Sequence, residues 1–134
     1  MKPVDQTKFV EQHGDGNCFA ACVASILERP IEEMPVFTQP DWFWRWQDWL
    51  AERGLYMMEI NHPMEKCCVG LNRPSGIHIM NGKSTRGDWE HAVVAFNGKL
   101  LHDPHPSRAG IKEVTSWTIL IPLNPALALK EVVS

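Results

Sequence analysis

The sequence predicts an α+β domain in which N-terminal helices pack on a small antiparallel β-sheet. Two observations carry this. Apolar residues recur at helical spacing within the first 54 positions, and beyond Gly54 they fall into short runs separated by Gly, Pro and Asn. Helices first and strands afterwards is the order of an α+β domain, not of alternating βαβ units. The 134 residues suit one domain, 1–134, and neither a repeat nor a low-complexity tract divides them.

The first helix follows the turn His13-Gly14-Asp15-Gly16. Asn17 is the expected N-cap, and Phe19, Cys22, Val23, Ile26 and Leu27 line one helical face until Pro30 ends it. A second helix starts near Asp41, after Pro40, and stops at Gly54. Its face of Trp42, Phe43, Trp46, Trp49 and Leu50 is expected to be buried, with Arg45, Gln47 and Asp48 opposite and Trp44 at the surface. Strands are predicted over 55–60, 76–80, 91–96, 99–102 and 117–123, with 81–90 a polar loop beside the cleft. Asn97-Gly98 marks a hairpin, and 125–134 form a short helix or a tail.

Charge and composition narrow the function. Thirteen basic against sixteen acidic residues give a net charge of -3, without the basic excess that phosphate-backbone binding leaves, so no nucleic-acid partner is expected. No run approaches the length of a membrane span or a signal peptide, which points to a cytosolic protein with no membrane partner. In a reducing compartment Cys18, Cys22, Cys67 and Cys68 are expected as free thiols, available for catalysis, metal or packing.

Cys18 stands at the first turn of a helix, where unpaired N–H groups and the macrodipole favour a thiolate. It reads either as a nucleophile or as a small buried hydrophobe, while Cys22 points into the apolar stripe. A thiolate nucleophile needs a base, a group to orient that base, and oxyanion donors. His91 at the head of a strand, Asp103 beyond the hairpin and Gln12 before the glycine turn offer one of each.

Whether His91 meets Asp103 depends on the hairpin. A two-residue Asn97-Gly98 loop opposes His91 to Pro104 and turns Asp103 to the wrong face unless the strand bends. A three-residue Phe96-Asn97-Gly98 turn pairs Ala95 with Lys99 and sets His91 across from Asp103, and this second register is the one predicted.

In the order Gln, Cys, His, Asp the chain resembles the papain-like cysteine peptidases, and within them the compact bacterial branch that processes double-glycine leader peptides. The segment from Gln12 through His13-Gly14-Asp15-Gly16-Asn17 to Cys18-Phe19-Ala20-Ala21-Cys22, then His91-Ala92-Val93-Val94 and Asp103-Pro104, carries the resemblance. It implies a papain-like fold, Cys18 as nucleophile, His91 as general base and then acid, Asp103 as orienter, Gln12 as oxyanion donor, and no cofactor. It also implies a peptide or protein substrate; small bacterial and phage proteins are its commonest setting. The His91-to-Asp103 step is shorter than in the family, which leaves little chain for substrate loops and predicts a shallow cleft.

Other readings stay beside this one. His102, Asp103 and His105 together with Cys18 and Cys22 could form a zinc site, although the triad uses the same residues and no metal is expected. Trp89, two residues before His91, is either a cleft wall or core. His105 is expected at the surface with a substrate contact, and His13 has a similar candidate role. His62 and His78 read as structural. Trp117 reads as core, or as the aromatic that in the resembling fold shields the histidine bond to its orienter. The same triad serves acyltransferases and deamidases, and a non-catalytic binding or inhibitory protein could keep the scaffold. Oligomeric state is not legible.

Overall fold

The computed structural model describes residues 1–10, 16–62 and 73–126. Among the described residues two α-helices pack on an antiparallel five-stranded sheet, so the α+β expectation holds. Helix α1 is Cys18–Leu27, a 3-10 turn is Ile31–Glu33, and helix α2 is Trp42–Ala51. The strands are β1 Leu55–Asn61, β2 Ile77–Ser84, β3 Glu90–Phe96, β4 Lys99–His102 and β5 Ile111–Pro122, in the spatial order β1-β5-β2-β3-β4. Among the described residues no helix is long and apolar enough to cross a membrane.

The apolar stripe of α1 forms as its spacing demands, with residues 20–25 buried. Its end is set by Glu28 in the left-handed region, φ 57°, which turns the chain into Pro30. Asn17 occupies the N-cap position but does not cap. Its Oδ1 accepts the N–H groups of Thr7 and Lys8 at 2.9 and 2.8 Å, and its Nδ2 donates to Thr7 Oγ1 at 2.9 Å. The side chain is therefore spent on tying the N-terminal segment to the helix.

Helix α2 departs from expectation. Only Trp46 and Leu50 are buried, and Trp42 is 39% exposed, while Trp44 is exposed as predicted. Gln47 does not face solvent: its amide donates to the Met57 carbonyl and accepts the Met57 N–H, both at 2.7 Å. These bonds occupy the outer edge of β1, an edge strand whose open backbone groups would otherwise be available to another chain.

The principal core lies between the helices and one sheet face. Leu50, Met57, Ile79, Val23 and Val94 are fully buried there, each contributing about 1.5–3 kcal/mol from burial. Met80, Val93, Ala95 and Trp117 form a second cluster, to which the opposite side chains of the same strands belong. Strands β2 and β5 run longer than predicted, because 81–84 and 111–116 pair with each other despite their polar composition. The proposed loop 81–90 thus shortens to 85–89. Gly82 permits this pairing, since a Cβ there would lie 2.1 Å from the Glu113 carbonyl oxygen.

The β3–β4 hairpin corrects the predicted register. Phe96 pairs with Lys99, so Asn97-Gly98 is a two-residue loop, with φ values of 51° and 78° as a type I′ turn requires. Asn97 is fixed there because its Oδ1 accepts the Gly76 N–H at 2.7 Å and its own N–H donates to the Gly76 carbonyl at 3.1 Å. The ladder then slips. Ala95 pairs with Leu100 but Val94 pairs with His102, leaving Leu101 as a β-bulge.

Candidate active site

The bulge decides where Asp103 points. A straight ladder from the two-residue turn would send its side chain away from His91, and the extra residue returns it to the His91 side. His91 Nε2 lies 2.7 Å from Asp103 Oδ1, with both side chains almost wholly buried. The predicted pairing is therefore realised through a bulge and not through a longer turn.

Asp103 is held on every side. Its Oδ1 also accepts the His105 N–H at 2.9 Å, and its Oδ2 accepts the Gly110 N–H at 2.7 Å. Arg108 closes the intervening loop by donating to the Asp103 and His105 carbonyls while pairing with both Asp5 oxygens at 2.6 and 2.8 Å. Burial alone would raise the Asp103 carboxyl. The hydrogen bonds from His91, His105 and Gly110 outweigh it and hold the group below its ordinary value.

Cys18 is the first residue of α1 and is partly exposed. The His91 ring hydrogen-bonds Asp103, and Cys18 lies close enough to act on the same ring. With Nε2 engaged by the carboxylate, Nδ1 is the nitrogen left for the thiol. Burial pulls His91 toward its neutral form, but the bond to Asp103, the closeness of Cys18 and the charges of both overcome it and push the imidazole up to about 9. At neutral pH His91 is an imidazolium set between a carboxylate and a cysteine sulfur.

Cys22, four residues on, is fully buried in the core. Burial first, and then the nearby Cys18 and Asp103, push its thiol well above the ordinary range, which leaves it chemically quiet. Among the described residues no group of three or more His, Cys, Asp and Glu side chains could hold a metal ion.

Cys18 and His91 open into a cleft of about 520 Å³. One wall is apolar, made by Phe19, Phe37, Trp42 and Trp46, with Trp46 edge-on to both Phe19 and Phe37 at 5.3 and 5.7 Å. The other is polar, made by Glu59, Asn61, Asn81, Glu90, Thr115 and Ser116. Asn81 Nδ2 donates to Ser116 Oγ and Thr118 Oγ1 at 3.2 and 2.9 Å, and Thr115 Oγ1 donates to Glu90 Oε2 at 3.1 Å. The volume lies within the usual range of roughly 300–1,000 Å³ for ligand sites. Helix α2 and the stretch 35–38 supply one wall.

The remaining candidates divide. Gln12 and His13 lie outside the described residues, as do Cys67 and Cys68. Trp89 does not line the cleft: its ring lies against Gly87, where a Cβ would come within 1.9 Å of it. His105 is also absent from the cleft and is half-buried where surface exposure was expected. Its ring stands edge-on to Phe9 at 5.3 Å and to His91 at 6.3 Å. His102 turns to the N-terminal segment, 3.2 Å from the Val4 carbonyl oxygen and from Asp5 Oδ1. Trp117 is core, edge-on to His78 and His62, and not a cover for the His91 bond.

No family model, curated protein or solved structure matches the chain.

The polar wall was missed in the sequence, although it left a signal. Glu59 and Asn61 on β1, and Thr118 and Ser116 on β5, alternate in phase with the core residues Met57 and Leu120. Polar side chains at core-phase positions mark the place where the helices stop covering the sheet.

Proposed function

We propose that this chain is a papain-like thiol hydrolase that cleaves a peptide, isopeptide or other amide bond. The observation that carries the reading is His91, gripped at Nε2 by a buried carboxylate 2.7 Å away and opening into the same cleft as a cysteine at a helix start. A histidine used only for packing has no need of a charged orienter on one side and a sulfur on the other.

The Cys18 thiolate adds to the amide carbonyl carbon, and the negative charge moves to oxygen. That oxyanion is received by the Cys18 N–H and by the Gln12 side-chain amide. As the C–N bond breaks, the imidazolium of His91 protonates the departing amine. His91, now neutral, takes a proton from water, whose oxygen attacks the thioester, and release of the carboxylic acid returns the thiolate and imidazolium. Asp103 keeps the ring oriented throughout and balances its charge. A free reactive thiol suits a reducing compartment such as the cytosol.

Iodoacetamide labelling tests the pair. Fast, selective alkylation of Cys18, slowed by His91→Ala, is the expected result. A Cys18 that resists the reagent until the protein unfolds overturns the reading and leaves a binding protein. A peptide and isopeptide library then reports the bond cleaved, and Gln12→Ala is expected to lower kcat by about 10²–10³.

A further inference from the structure

We infer that the cleft beside Cys18 accepts a lysine or arginine side chain adjoining the bond to be cleaved. The inference rests on the hydrolase reading and assigns its substrate class. Three features of one cavity converge. Phe37, Trp42 and Trp46 give a wall of aromatic surface, Glu59 and Glu90 place two carboxylates in the same cleft, and no lysine or arginine is among its described lining residues.

The alternatives fail on charge and solvation. A purely apolar side chain would match the aromatic wall but would strip water from Glu59 and Glu90 without replacing its hydrogen bonds. An acidic side chain would meet two like charges. A long basic side chain satisfies both walls: its methylene stem lies along the rings, and its cationic head gains a ring face and one of the two carboxylates, which stand three strands apart on β1 and β3. Glu90 is already oriented, since Thr115 Oγ1 donates to its Oε2 at 3.1 Å and the residue directly precedes His91. Lys83 stands across from Glu90 in the β2–β3 ladder, but its ammonium is turned to Glu113 at 3.9 Å.

Three chloromethyl ketones that differ only in a lysyl, norleucyl or glutamyl side chain test this. Each is attacked at its methylene carbon by the Cys18 thiolate, which displaces chloride and forms a thioether, so inactivation is read without any turnover. The lysyl reagent is expected to inactivate about tenfold faster than the norleucyl one and faster still than the glutamyl one. Glu59→Gln with Glu90→Gln should bring the lysyl and norleucyl rates within about twofold, and high salt should narrow the gap in the unsubstituted protein. Trp42→Ala should slow the lysyl and norleucyl reagents alike. Equal rates for all three reagents, or a norleucyl preference, overturn the inference while normal iodoacetamide labelling leaves the hydrolase reading intact. A lysyl preference without cleavage of any amide in the library keeps the subsite and removes the hydrolase. A Cys18 inert to every reagent, iodoacetamide included, overturns both.

Discussion

On the sheet face that carries the helices, four of the five strands change character within two residues. Met57 gives way to Glu59 on β1, Leu120 to Thr118 on β5, Ile79 to Asn81 on β2, and Ala92 to Glu90 on β3. The first member of each pair lies in or against the core beneath α1 and α2, and the second lies in or beside the cleft. Both regions have the same backbone, the same pairing and the same period. They differ in whether a helix covers them, and hence in whether water is replaced by hydrocarbon. The covered region is held by burial, at about 1.5–3 kcal/mol for each large aliphatic side chain. The open region is held by hydrogen bonds whose net worth is about 0.5–1.5 kcal/mol each. Stability should therefore concentrate in one region and chemistry in the other.

The sharpest test of that division is Cys18→Ala, which should lower amide hydrolysis by at least about 10⁴-fold. Thermal unfolding should move little by comparison, since the sulfur lies partly exposed at the cleft and only its share of the His91 interaction is lost. If the variant melts early, the open region carries stability as well. The reciprocal change, Leu50→Ala, removes a fully buried side chain from the covered region and should cost about 2–5 kcal/mol in urea unfolding. The Cys18 alkylation rate of its folded fraction should stay unchanged, and a fall in that rate would show the two regions to be coupled.

A pH titration of stability probes the border between them. His91 is held at about 9 in the folded chain against an ordinary 6.5, so the folded state binds its proton more tightly. Its stabilising contribution is complete below 6.5, declines as pH rises, and is lost above about 9. Asp103 acts in the opposite sense at the acid end: its contribution is present above its ordinary 3.8 and is lost as pH falls through its lowered folded value. Asp103→Asn should flatten the alkaline loss seen in denaturant midpoints between pH 6 and 10. A loss that persists unchanged would mean that another group titrates there.

The smallest expected effect belongs to Asn81→Ala. Two bonds to Ser116 and Thr118 disappear, but water in the cleft can replace them, so about 1 kcal/mol is the expected cost. Its larger signature should be a raised KM, because the cleft wall loses its fixed geometry.

Much of this was legible in the residues, because local physics decides it. The helical stripe from Phe19 to Leu27, the position of Cys18 at its head and the Asn97-Gly98 turn all follow from spacing and backbone preference. What escaped depends on contacts distant in sequence. Asn17 fits a cap by type, yet Thr7 and Lys8 claim its side chain. Gln47 looks like a solvent residue until β1 lies beside it. The polar stretches 81–84 and 111–116 have weak strand character alone and become strands by pairing with each other. The pairing of His91 with Asp103 was expected through the wrong turn, since the two-residue loop is held by the contact of Asn97 with Gly76, twenty-one residues away, and the ladder slips only beyond it.

That bulge makes the site depend on register. Leu101 is 47% exposed on an edge strand, and its side chain can be exchanged at little cost. Removing the residue altogether leaves a regular ladder in which Val94 still pairs with His102 and Asp103 stays on the His91 side. What the site does not survive is a ladder that straightens with every residue kept, because Leu101 then pairs with Val94 and Asp103 turns away. In this hairpin the chemistry hangs on where one residue is skipped and not on what that residue is, and a survey by substitution alone would pass over it.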